Sequence, residues 1–315
     1  MKSMVSVLIL TYNQEDTIQQ TLESVEDQIT TFSYEIIIGD DASKDATRLK
    51  CSEFISKSKA NFRLLPSFPN VGLIENYKRL IKVSNGKYIA CCAGDDYWTD
   101  KYKLQKQVNF LENNPDFGLI HTNYKIYNEK NNSFEECSFQ RSNGYIFKNL
   151  LLFNEIGALT TLVRRDLILE AIREGIYKHG FLMEDYPLWL FISKKCKVAY
   201  INDITAVWRK AEESVSNSKN LIQNFLFEES VVNIRKHFAE KYNCLDLIND
   251  DLIKKYRYNL SFAFNHQLKI SGKNAFFFLQ KYNKIKIKDY LLYFGSQFYI
   301  FAKSYNLIKK IVKLI

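Results

Sequence analysis

Val5–Leu10 reads VSVLIL, Tyr34–Gly39 reads YEIIIG and Lys87–Ala93 reads KYIACCA, three short runs that are almost unbroken in apolar residues. A strand with one wet face alternates polar and apolar positions. Runs like these belong to strands covered on both faces. Between them lie stretches at helical spacing, Glu15–Gln28 with Ile18, Leu22 and Val25, and Leu73–Val83. Phe62–Leu65 supplies a third strand of the same kind, so Lys87–Ala93 is the fourth. Tyr102–Asn113 is a further helix closed by Pro115, and Phe117–Tyr124 a fifth strand. Strands alternating with helices predict an α/β fold with a doubly wound, mainly parallel sheet. Right-handed crossovers then put every strand-to-helix loop on one edge of that sheet.

Beyond the fifth strand the pattern loosens. Residues 126–150 are polar and irregular, which predicts a loop or flap. Leu159–Arg164 is strand-like, and Asp166 is placed to cap a helix running to Arg173. Tyr186–Lys194 reads as helix, with short strands at Val198–Ile201 and Thr205–Trp208. From Asn220 the chain is mostly helical. The expected division is a domain over 1–215 and a helical extension over 216–315.

Charge divides the same way. The 315 residues carry a net charge of +9, yet residues 1–219 hold 28 basic and 28 acidic side chains. Residues 220–315 hold 16 basic and 7 acidic. A basic tail on a neutral body calls for an anionic partner, lipid or nucleic acid, and no nucleic-acid module accompanies it. Leu291, Phe294, Phe298, Phe301, Tyr305, Ile308, Val312 and Ile315 recur every three or four residues with lysines between them. That spells an amphipathic helix suited to an anionic membrane surface or to docking on the preceding helices. No run reaches the roughly 18 apolar residues that span a bilayer, and MKSMVSVLIL is too short for a secretory leader. The six cysteines show no metal spacing, as expected of reduced thiols in a cytoplasmic protein.

Three acidic pairs follow apolar elements: Asp40-Asp41 ends the second strand, Asp95-Asp96 ends the fourth, and Glu184-Asp185 opens a helix. In a doubly wound sheet, ligands bind beyond the carboxyl ends of the strands. Clustered carboxylates repel one another unless a cation or hydrogen-bond donors lie between them. Mg²⁺ or Mn²⁺ with a diphosphate satisfies that need. Each pair alone is also an ordinary turn former or helix cap; the order of all three on this topology points to a ligand site.

Val5–Asn13 (VSVLILTYN), Glu35–Ser43 (EIIIGDDAS), Asn70-Val71-Gly72 and Gly86–Trp98 (GKYIACCAGDDYW) resemble the successive motifs of family 2 glycosyltransferases, over roughly residues 4–215. The resemblance implies the glycosyltransferase A-type fold and transfer, with inversion, of a sugar from a nucleotide-diphosphate donor. The donor expected is a UDP-sugar, and the acceptor a saccharide or a polyprenyl-linked intermediate of capsule or O-antigen synthesis. It implies that Thr11, Tyr12 and Asn13, with Asp40, Asp41 and Asp95, line the donor site. Asp96 is the expected metal ligand and Asp185 the catalytic base. Trp98, Glu184, Arg209 and Lys210 are candidate diphosphate or acceptor contacts. Many members carry an aromatic-Arg-x-His segment; here Trp208-Arg209-Lys210-Ala211 puts alanine at the histidine position. Such an enzyme would work in the cytoplasm, peripherally on the inner face of the membrane.

The rivals are distinguishable. A nucleotidyltransferase on a similar sheet would open with a glycine- and basic-rich phosphate loop, which Thr11–Glu15 lacks. A dehydrogenase would carry G-x-G-x-x-G after the first strand. A binding protein that has lost catalysis would have no need of both Asp96 and Asp185.

Overall fold

The computed structural model describes residues 3–67, 69–137, 141–210, 220–298 and 301. Contacts divide the chain into two units, Met1–Lys219 and Asn220–Ile315.

The first unit is built on a sheet. Its elements are β1 (Val5–Thr11), α1 (Ile18–Glu26), β2 (Tyr34–Asp40), α2 (Thr47–Lys57), β3 (Phe62–Leu64), α3 (Leu73–Val83), β4 (Tyr88–Ala93) and β5 (Tyr97–Trp98). They continue as α4 (Lys103–Asn113), β6 (Phe117–Asn128), β7 (Ser133–Glu136), α5 (Phe147–Leu152), β8 (Leu162–Arg164), α6 (Arg165–Arg173), α7 (Asp185–Lys195) and β9 (Lys197–Lys210). The strand order is β3-β2-β1-β4-β8-β6-β9-β5, with β7 paired to β6. The first four strands are mutually parallel, as their unbroken apolar runs require. The second half is mixed: β8 runs antiparallel to both β4 and β6, while β6 and β9 are parallel.

One face of the sheet presents Val5, Val7, Ile9, Ile36, Ile38, Ala90 and Cys92. It packs on Ile18, Leu22 and Val25 of α1 and Leu104, Val108 and Leu111 of α4. Removing one such fully buried side chain leaves a cavity and costs roughly 2–5 kcal/mol. On the other face α3 lies close over β2; a β-carbon on Gly39 would sit 2.2 Å from Leu80 Cδ1, so only glycine admits this approach. Helix α7 is buried from Tyr186 through Ser193, which explains why its sequence is apolar all round.

Several sequence expectations are corrected. Residues 126–150 are not one irregular flap. β6 continues to Asn128 and turns into β7, pairing Lys125 to Glu136 through Asn128 to Ser133, and α5 follows. Polar residues dominate there because the hairpin is exposed on one side. The two strands expected at Val198–Ile201 and Thr205–Trp208 are one strand, β9, whose register against β6 shifts around Asn123. Those irregularities hid its continuity. Asp166 does not cap α6; Arg164 occupies the N-cap position without a side-chain capping bond, and Asp166 sits in the first turn where the helix dipole favours an acid.

The second unit comprises α8 (Leu221–Lys241), α9 (Asn249–His266), α10 (Lys269–Lys281) and α11 (Ile287–Gln297). Asn220 caps α8, its side chain accepting from Ile222 and Gln223 N–H. The end of the expected terminal helix, residues 302–315, lies outside the described residues. Among the described residues no helix is long and apolar enough to cross a membrane. None of the six cysteines is in a disulfide, and Cys51, Cys92 and Cys137 are buried.

Candidate active site

The ends of β1 and β2 are stitched together. Asp41 N–H donates to the Thr11 carbonyl (3.0 Å) and Asn13 N–H to Ser43 Oγ (2.9 Å). Asn13 Oδ1 in turn accepts from Lys44 N–H (2.8 Å). Ala42, between the two, is held at φ 63°, a left-handed conformation that costs an L-residue about 1–2 kcal/mol. The hydrogen bonds on either side of Ala42 impose that conformation. Asp40 is 1% exposed and its carboxylate serves the loop, accepting from Ser43 and pairing with Arg48 Nη1 at 3.7 Å. Asp41 reaches the other way: Oδ1 accepts from Val71 N–H and Oδ2 from Gly72 N–H, both at 2.9 Å. Its carboxylate therefore fixes the start of α3, and Asn76 completes the tie by donating to the Gly39 carbonyl (2.7 Å).

Asp95 and Asp96 lie on the turn leaving β4, where Gly94 lets the backbone approach β1. A β-carbon there would be 2.5 Å from Gln14 Oε1 and 2.7 Å from Thr11 Oγ1. Thr11 Oγ1 is itself buried with no hydrogen-bond partner among the described residues. The turn is clamped from below by Thr21, whose hydroxyl donates to the carbonyls of Gly94 (3.0 Å) and Asp96 (2.7 Å). From the far side of the sheet comes Arg209 on β9. Its N–H donates to Asp96 Oδ1 (2.9 Å), its Nε to the Asp95 carbonyl (2.9 Å) and its Nη2 to Gln20 Oε1 (2.5 Å). Burial pushes both carboxyls up, and the neighbouring Asp95 charge pushes Asp96 further, well above the carboxylate range. Two half-compensated buried carboxyls are a pair that a cation would relieve. Among the described residues no third His, Cys, Asp or Glu joins them as a ligand set. The residues thus fit a divalent ion only if a substrate's phosphate oxygens complete its shell.

Glu184 and Asp185 start α7. Burial foremost, then the Asp185 charge, pushes Glu184 up to about 8; burial also raises Asp185. Asp185 Oδ1 accepts from Tyr186 N–H (2.6 Å), and Oδ2 has no hydrogen bond among the described residues. Tyr177 holds the pair in place, donating to the Glu184 carbonyl (2.8 Å) while its ring meets Tyr77 of α3 edge-on. The charges of Glu184 and Asp185 are felt at Cys91, whose thiol burial raises first. Cys92 faces the α1–α4 core, so Cys91 points to the opposite face. Both acidic centres therefore neighbour the C-terminal half of β4: Asp95-Asp96 on the turn that ends it, and Glu184-Asp185 of α7 within electrostatic reach of Cys91.

The remaining candidates divide. Tyr12 is 42% exposed beside Asn13. Lys210 is exposed at the end of β9. Trp98, a candidate acceptor contact, is instead core: it is 4% exposed, its Nε1 donates to the Leu159 carbonyl (2.9 Å), and Lys103 Nζ lies 4.2 Å over its ring. Short strand β5 pairs with β9 and turns that ring inward. Arg209 is committed to the Asp95-Asp96 turn rather than left open for a diphosphate. Ala211 lies outside the described residues. Sequence reasoning missed Gln14, Thr21 and Tyr177, polar residues whose roles appear only across the fold.

A family model described as glycosyl transferase family 2 matches residues 6–168, more than half of the chain. The chain belongs to that family. Among its relatives is the E. coli UDP-Glc:alpha-D-GlcNAc-diphosphoundecaprenol beta-1,3-glucosyltransferase WfgD, 30% identical over 261 residues that cover 76% of this chain and 97% of WfgD. An uncharacterized protein of Mycobacterium tuberculosis is 37% identical over 139 residues, which cover 43% of this chain and 40% of that protein. The chain thus spans less than half the length of this relative. S. aureus TarS, in a crystal structure with UDP-GlcNAc, superposes with a TM-score of 0.53 at 16% identity, covering 86% of this chain and 88% of that one. At that identity the likeness is one of fold, and the fold is the glycosyltransferase A type that the motifs led us to expect.

Proposed function

We propose that this family 2 member transfers a sugar, with inversion, from a UDP-sugar to the hydroxyl of a saccharide carried on a polyprenyl diphosphate, in building a bacterial surface polysaccharide. The observation that carries the reading is the pair of acidic centres, one on the turn leaving β4 and fit for the leaving diphosphate, one at the start of α7 with an open carboxylate oxygen. The named activity of WfgD supports the donor and acceptor classes. Such an acceptor lies in a membrane, and in this reading the enzyme works peripherally at its cytoplasmic face.

In this reading Thr11, Tyr12, Asn13 and Asp41 border the nucleotide. Arg209 sets the Asp95-Asp96 turn, and Asp96 with the donor's phosphates would hold Mg²⁺ or Mn²⁺. When bound, that ion offsets charge on the departing nucleoside diphosphate. Glu184, pushed up to about 8 by burial and the Asp185 charge, is the member that keeps its proton near neutral pH. With Glu184 the protonated member, Asp185 is the ionised one and its Oδ2 is available as base. Asp185 takes the acceptor hydroxyl proton as that oxygen bonds to the anomeric carbon; the bond from that carbon to phosphate oxygen breaks and nucleoside diphosphate leaves.

The test is release of nucleoside diphosphate across a panel of nucleotide sugars, with a polyprenyl-linked acceptor, with and without Mn²⁺ or Mg²⁺. Asp185→Asn is expected to bind donor normally and turn over about 10²–10⁴-fold more slowly, the usual value of general-base assistance. Asp96→Ala is expected to lose metal-stimulated turnover. Wild-type turnover in Asp185→Asn sinks the base assignment, and absence of any nucleotide binding sinks the reading as a whole.

A further inference from the structure

Within the second unit, α10 turns Ala275, Phe276, Phe278 and Leu279 inward, and the Phe278 ring stacks on Tyr256 of α9 at 4.0 Å. Helix α11 is seated by small residues: a β-carbon on Gly295 would be 2.1 Å from the Phe264 ring, and one on Gly272 2.3 Å from Ser296 Oγ. A helix seated so closely has its inner face filled. Its outer face should then be polar, and it is not. Ile287 is 85% exposed, Tyr290 43%, Phe294 45% and Phe298 62%, spaced three or four residues apart on one side of the helix. Ile270 (77%) and Phe277 (47%) extend the surface onto α10. Ring contacts run from Phe277 to Tyr293 to Phe294 to Phe301, so this is one aromatic ridge and not scattered residues.

The charge around the ridge is of one sign. Residues 269–298 contain six lysines and a single acidic residue, Asp289. Asp289 is buried, its carboxylate accepting from Lys286 N–H at 2.8 Å and facing Arg257 Nε at 3.8 Å. Lys273, Lys284, Lys286 and Lys288 are exposed. An exposed apolar ridge on two helices that carry exposed lysines and no exposed acid of their own is matched by one partner chemistry, hydrocarbon beneath a sheet of anionic headgroups. A protein partner would need its own acids registered against these lysines, and nucleic acid would leave the apolar ridge in water.

We propose that the outer face of α10 and α11 docks on an anionic lipid bilayer, with Ile287, Phe294 and Phe277 entering the interface and Lys273, Lys284 and Lys288 reaching the headgroups. The proposal deepens the partner reading above by naming the surface that would hold the enzyme beside its lipid-linked acceptor.

The test is cosedimentation of the full chain with vesicles of phosphatidylcholine alone or mixed with phosphatidylglycerol. Wild type should bind only the mixed vesicles, and less at high salt. Lys273→Gln/Lys284→Gln/Lys288→Gln should weaken binding about 100-fold, from roughly fivefold per lysine. Phe277→Ser/Ile287→Ser/Phe294→Ser should weaken it by about tenfold or more. Both variants alter exposed side chains, and their thermal melts should match wild type. Wild type that stays in solution with phosphatidylglycerol vesicles overturns the proposal. So does retention of full binding by both variants with loss only on removal of residues 302–315, which assigns binding to the tail. Sedimentation of wild type as a dimer that ignores vesicles assigns the face to a second copy and overturns it too. No donor or acceptor is present in this assay, so its failure leaves the transferase reading intact, and failure of transfer leaves this one intact.

Discussion

Glu184 sits beside Asp185 in a partly buried site, and its charge is felt at Tyr77, Tyr177 and Cys91. Holding its carboxyl at about 8, against 4.5 for a free glutamate, means that the native state grips a proton the unfolded chain releases. Stability from this group is therefore fully present below about pH 4.5 and is lost as pH rises toward 8. Glu184→Gln keeps the shape of the protonated carboxyl and removes the titration, so the variant should be the more stable protein at neutral pH. At pH 7 the shift corresponds to about 3 kcal/mol. Water at the rim of the site and proton sharing with Asp185 reduce this, and about 1–3 kcal/mol is expected. The gap should grow by up to about 1.4 kcal/mol per pH unit between pH 5 and 7.5. Chemical denaturation of both proteins without substrate, from pH 4 to 8, measures it directly. A gap that is constant with pH, or a variant that is less stable at pH 7 than at pH 4.5 relative to wild type, would refute the reasoning.

His121 of β6 offers the opposite sign. It is wholly buried, neither ring nitrogen has a hydrogen-bond partner among the described residues, and burial with the Arg141 charge holds it down to about 3. Wild type should therefore lose stability as pH falls from 6.5, by about 2 kcal/mol at pH 5, and His121→Leu should not; parallel acid-unfolding curves would remove the explanation. Gly94→Ala should cost about 1–3 kcal/mol by overpacking against Thr11. It should also weaken donor binding by displacing Gln14 from Asp95, with calorimetric titration of UDP as the check; a variant melting like wild type means the β1–β4 approach is looser than the geometry says.

Local chemistry made much of this protein legible. Unbroken apolar runs at Val5–Leu10 and Lys87–Ala93 can only be strands covered on both faces, and a carboxylate pair at a strand end stands out whatever surrounds it. That was enough for the parallel half of the sheet and the acidic centres, and the resemblance of the motifs around them pointed to the family. The antiparallel half was harder to read because β8 is three residues long and β9 carries irregularities, so neither shows a clean period. Trp98 was misread for a related reason: the direction of a ring in a two-residue strand is set by its partner strand, which is remote in sequence.

The sequence by itself determined which residues could carry charge chemistry and in what order along the chain, because side-chain type and period are local properties. Only the tertiary structure decided what each carboxylate does. Asp40 closes a loop on Arg48, Asp41 anchors α3, Asp96 is met by the backbone of Arg209 and Asp185 keeps an open oxygen. The same holds for the outer face of α11, since its apolar stripe looks in sequence like any buried one. Which side of a helix is wet depends on what else is packed there, and that is fixed by distant residues such as Phe264 and Tyr256 rather than by the helix itself.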